Sequence, residues 1–139
     1  MTNLKSQSGR SMVEMLGVLA IIGVLSIGGI AGYTMAMNRY RANEILNAAS
    51  QVAIMGMSKN GGQGDDATLQ DIGYAADATL HGATVAYEHQ GVAEGAAAGS
   101  VTITGASNDV GAAMENIAGD RIACGTNGAS PCTFTPAAN

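Results

Sequence analysis

The sequence predicts an α+β chain, a long amino-terminal helix packed against a small head domain built on an antiparallel sheet. Three observations predict it. Residues 15–33 form a run of nineteen without one formal charge. Ile45, Ala48, Ala49, Val52 and Met55 recur at intervals of three and four, the period of one helical face. Residues 83–88 and 100–104 alternate in polarity or are β-branched, the habit of strands with one face in a core.

The first helical half is suited to a membrane. Nineteen residues at ~1.5 Å rise span about 28 Å, close to the ~30 Å hydrocarbon core of a bilayer. Glu14 stands at the head of this run between Val13 and Met15. A carboxylate in lipid costs on the order of 3 kcal/mol, so it calls for a partner. Arg10, four residues back, would contribute only a few tenths of a kcal/mol if exposed, which points to a partner outside the helix. Gly17, Gly23, Gly28, Gly29 and Gly32 interrupt the run. Gly28 and Gly32 stand at the spacing that lets helices approach closely, and residues 26–32 are where the helix is expected to bend on assembly.

The amino terminus resembles the precursors of type IV pilins and pseudopilins. Met1-Thr-Asn-Leu-Lys-Ser-Gln-Ser-Gly9 fits their short polar, basic leader ending in Gly, Arg10 the first mature residue, and Glu14 the acid fifth from the cut. The family's usual Phe at the first mature position is replaced here by Arg10. The resemblance covers roughly the first fifty residues and implies a pilin-like fold. It also implies that a prepilin peptidase cuts after Gly9 and methylates the new terminus on Arg10, and that Glu14 meets a neighbouring subunit's terminal amine. An acid and an ammonium that are each costly in lipid become tolerable together. The expected organisation is a leader over residues 1–9, a transmembrane and assembly helix over 10–58, and a globular head over 59–139.

Composition agrees with a small head. There are 20 Gly, no Trp and one Phe, so a core of small residues gains from staples. Cys124 and Cys132 flank a turn-rich stretch. In a chain delivered outside the cytoplasm, such an isolated pair reads as one disulfide, closing a loop that would stabilise the fold by roughly 2.5 kcal/mol. A redox site would favour Cys-x-x-Cys, and zinc would need more ligands than these two and the distant His81 and His89. Beyond Asn43 only Lys59 and Arg121 oppose ten acids, a balance of −8. Nucleic-acid binding by this acidic part is disfavoured, and Arg39, Arg41 or Lys59 would have to carry it.

The remaining elements are read in order. Residues 59–66, rich in Gly and Asn, end the long helix in a solvated loop, and Asp65-Asp66 lacks the ligand spacing of a calcium hand. Residues 68–74 form a short helical turn capped by Asp66 or Thr68. The two strands pair antiparallel across a Gly/Ala-rich connection at residues 91–99. Residues 108–118 form a helix with Val110, Met114 and Ile117 on one face and Asn108 or Asp109 as cap, and residues 132–135 supply a last strand.

No Walker loop, dinucleotide fingerprint or catalytic frame surrounds His81 or His89. The function that the resemblance implies is structural and not enzymatic: a type IV pilus subunit without cofactor, held in the bacterial inner membrane by one span and then polymerised into a helical filament on the cell surface. The partners implied by the resemblance are further copies, the peptidase, an assembly ATPase and a platform membrane protein. The alternatives are a pseudopilin of a type II secretion system, which neighbouring genes would reveal, and a membrane-anchored binding module that never polymerises.

Overall fold

The computed structural model describes residues 8–62, 64–89 and 99–136, with side chains from residue 11 onward. Most of the expected leader, the side chain of Arg10 and the connection over residues 90–98 lie outside the described residues. Helix α1 covers Ser8–Gly62, with regular backbone as far as Ser58. It ends because Asn60 and Gly61 take left-handed conformations, at φ 55° and 70°, a cost that Gly escapes and Asn tolerates. The amide of Asp65 then donates to the carbonyl of Gly56 and that of Gly64 to Lys59, occupying carbonyls the helix leaves free.

The chain divides into two compact units, Met1–Met37 and Asn38–Asn139. In the first, α1 is long and apolar enough to cross a membrane. Its large side chains are exposed all round, from Ile22 at 52% to Ile27 at 75%. A helix apolar on every side buries nothing by itself; its partner is lipid or protein.

In the second unit, residues 38–62 of α1 pack on a five-stranded antiparallel sheet. Its strands are β1 (Ala67–Thr68), β2 (Thr84–Glu88), β3 (Ser100–Thr104), β4 (Ile122–Gly125) and β5 (Ala129–Phe134), in the order β1-β2-β3-β5-β4. A second helix, α2 (Asn108–Ala118), lies between β3 and β4 in sequence. The registers Val85↔Ile103, Tyr87↔Val101 and Val101↔Phe134 bring alternate residues to one face. That face, with Cys132 and Ile122, joins Val110 and Met114 of α2 and the buried stripe of α1 in one core.

The β2–β3 pair, the helix at 108–118 and the short turn after Thr68 stand where the sequence placed them. Four details differ. Met55 is 39% exposed: the stripe is centred on Ile45, Ala49, Val52 and Gly56 and widens to Ala42, Leu46 and Ala53, which leaves Met55 about 100° off its axis. Ile117, expected on the buried face of α2, is 40% exposed near the helix end. The N-cap of α2 is Ser107, with extended backbone (ψ 153°), rather than Asn108 or Asp109, which already belong to the helix. The last strand begins at Ala129, inside the stretch read as turn, because it pairs with β4 on one side and β3 on the other.

Candidate functional site

Three features carry the functional argument, and the first is the exposed half of α1. Glu14 is exposed among Met12, Val13, Met15 and Leu16, all at least 65% exposed. No cation lies within ion-pairing distance of it among the described residues. A Cβ added at Gly17, Gly23, Gly28, Gly29 or Gly32 would meet nothing within 4 Å, so any close approach these glycines permit is to another chain. Helix α1 runs unbroken through residues 26–32. The Ser26 hydroxyl donates to the Ile22 carbonyl at 2.7 Å and that of Thr34 to Ala31 at 2.9 Å. Both polar groups are thereby satisfied within the helix, as an apolar surrounding demands.

The second feature is the junction where α1 gives way to the sheet. The ring of Tyr87 lies against Gly56 so closely that a Cβ there would stand 2.1 Å from its Cδ1. One turn on, the Lys59 ammonium contacts Asp71 Oδ1 at 2.7 Å and donates to the Asp66 carbonyl at 2.8 Å. Asp71 in turn accepts from the Thr68 amide at 2.7 Å. The Lys59 hydrogen bond first, and the Thr68 amide second, hold the Asp71 carboxyl below the usual carboxylate range. Asp66 Oδ1 accepts from the His89 amide at 2.8 Å, so the acidic pair at 65–66 closes the connection onto the end of β2. Among the described residues no group of three His, Cys, Asp or Glu side chains is placed to hold a metal ion.

His81 sits at φ 54° in the tight turn between Leu80 and Ala83, with Nε2 2.6 Å from Glu44 Oε2 and the Tyr40 ring edge-on to it. The turn is thus fastened to α1. The Nδ1 atom of His89 is buried without a hydrogen-bond partner among the described residues.

The third feature is the bridge between Cys124 on β4 and Cys132 on β5. Cys132 is fully buried, and the Cys124 amide donates to Glu115 Oε1 of α2 at 3.0 Å. The loop the bridge closes packs directly on α2 through two glycines. A Cβ on Gly111 would stand 1.9 Å from the Gly128 carbonyl oxygen, and one on Gly128 2.2 Å from the Ala112 nitrogen.

The junction partners Lys59–Asp71 and Glu44–His81 and the Gly111–Gly128 contact were not read from sequence. Only the first has a local signal, a Lys at the helix end opposite an acid at the third position of the following helical turn. Compared with known proteins, the chain matches no protein-family model, no curated protein and no solved structure.

Proposed function

We propose that this chain is a type IV pilin, a non-enzymatic subunit that waits in the bacterial inner membrane and polymerises into a surface filament. The observation that carries this reading is the exposed half of α1: a membrane-length helix with no partner among the described residues, headed by the exposed carboxylate of Glu14. Lipid satisfies the apolar surface but not the acid. A bundle of identical helices satisfies both, if each Glu14 meets the amino terminus of a neighbour freed by cleavage after Gly9. In the low dielectric among packed helices that pairing is strong and sets axial register. Successive subunits then meet through unlike surfaces, and the assembly grows open-ended. The head, closed by the Cys124–Cys132 bridge and the Lys59 contacts, forms the outer, acidic surface in this reading.

The test is amino-terminal sequencing of the chain in sheared surface material. An N-methylated Arg10 is the expected first residue, and assembled material that still begins at Met1 refutes the reading. Replacing Gly9 by a bulky residue should leave the precursor uncut in the membrane.

A further inference from the structure

We infer that a cleft of about 330 Å³ in the head receives the turn at residues 75–78 of a second copy, with Asp77 of that turn set opposite Arg121. The cleft is lined by Asn43, Asn47 and Ser50 of α1, by Ile117 and Arg121, and by Phe134 of β5. The Arg121 guanidinium lies 5.4 Å from the centroid of the Phe134 ring, held in place by the ring's negative face. It has no carboxylate within ion-pairing distance among the described residues, whereas Lys59, the other cation beyond Asn43, is bound to Asp71. The opening therefore combines exposed apolar surface at Ile117 with one cation that the Phe134 ring holds and that pairs with no carboxylate among the described residues. Such a site favours an apolar segment bearing a carboxylate.

The chain carries a segment of that description. Ala75-Ala76-Asp77-Ala78 forms a tight turn closed by the Ala78 amide on the Ala75 carbonyl at 3.0 Å. Ala75, Ala76 and Asp77 are exposed, and Asp77 takes φ 64° and belongs to no ion pair among the described residues. Alanine side chains lose almost no rotamer entropy on entering a cleft, and the turn is already closed, so little ordering remains. Position supplies a further argument. The turn lies beside β1 and β2, and the cleft opens at β5 next to β4, which are opposite ends of the sheet order. One copy cannot satisfy its own cleft this way; a contact between these unlike patches repeats from copy to copy. The inference deepens the filament reading and takes its biological meaning from it.

The test uses the full chain in its own membrane, with Asn47→Cys and Ala76→Cys introduced together and the native bridge retained. Mild oxidation should link residue 47 of one copy to residue 76 of another and give a ladder of cross-linked copies. Arg121→Asp or Asp77→Arg added singly should lower the yield about fivefold, and the two together should bring it back to within about twofold of the parent. Because Arg121 also stacks on Phe134, its replacement can loosen the head. Asp77→Asn avoids that, since it removes only the charge and keeps a residue tolerant of positive φ, and it should lower the yield about threefold. A 47–76 link that never forms, or single variants that cross-link as well as the parent, would overturn the contact. Sheared filaments lacking the link would sink the contact and leave the filament standing. A link in membranes that never yield filaments would sink the filament reading and leave the contact.

Discussion

The two halves of α1 use one backbone geometry for opposite ends. Residues 42–56 bury a stripe of Ala, Ile, Leu, Val and Gly against the sheet, and this stripe is polar or exposed on its other side. Residues 15–36 are exposed throughout and carry no charge in any direction. The glycines show the contrast most sharply: Gly56 is pressed by the Tyr87 ring, whereas the five glycines from Gly17 to Gly32 have open space where a Cβ would go. A helix whose face is consumed within the chain reports on the fold. One whose surface is left over reports on what the chain joins.

The largest expected effect lies in the unpartnered half. Glu14→Val removes a carboxylate that costs on the order of 3 kcal/mol in lipid, so the variant should insert at least as well as the parent. Cleavage should survive because Gly9 is intact. On the pilin reading, surface filament should be nearly abolished while processed subunit accumulates in the membrane, which fractionation and electron microscopy would show. Glu14→Gln should behave alike if charge, rather than polarity, is what matters. Abundant normal filaments in both variants would refute the pairing.

The converse experiment places the same substitution in each half. Gly56→Val must displace Tyr87 or the helix itself and should destabilise the head by about 3 kcal/mol, seen as a lower denaturation midpoint. Gly28→Val should leave that midpoint unchanged and act only on assembly, since nothing within the chain occupies its Cβ position. A head that melts normally with Gly56→Val would mean that the Tyr87 contact relaxes freely.

What the sequence revealed follows the same division. The apolar run, the Glu14 position, the alternation at 83–88 and 100–104 and the helix at 108–118 are written in local periodicity, and all but Glu14's role need only that periodicity to be read. β1, two residues long, and β4, Ile-Ala-Cys-Gly, carry no alternation of their own. They are strands because β2 and β5 offer them hydrogen bonds. The periodicity points to Met55 rather than Gly56 because Gly56, without a side chain, carries no apolar signal although the Tyr87 ring lies against it. The Arg121–Phe134 pairing and the Glu44–His81 contact join residues far apart in sequence, and nothing in their neighbours announces them.

The disulfide sharpens the comparison from the head's side. Cys132→Ser should destabilise the head by about 2–4 kcal/mol in denaturant, because it opens the closed loop and buries an unpaired hydroxyl at a fully buried position. Cys124→Ser leaves the same open loop at a half-buried position and should cost somewhat less. Membrane insertion should not change in either, since α1's exposed half owes nothing to the bridge. Equal denaturation midpoints with and without reductant would show that the bridge contributes nothing.

The smallest effect is expected where α1 gives way to the sheet, at Lys59 and Asp71, which meet 2.7 Å apart, both partly exposed. The Asp71 carboxyl is held below its ordinary value of 3.8, chiefly by the Lys59 hydrogen bond and then by the Thr68 amide. In the unfolded chain that value is restored. A carboxyl whose pKa is depressed by folding favours the folded state fully above the unfolded value, and the contribution is lost as pH falls through the folded one. Thermal melts between about pH 6 and pH 3 should fall more steeply for the parent than for Asp71→Asn, which cannot ionise. The difference should shrink in high salt, as it does for exposed pairs. Parallel curves would mean that the helix end is held by its own backbone bonds, Asp65 to Gly56 and Gly64 to Lys59, and that the charge pair only decorates a turn already formed.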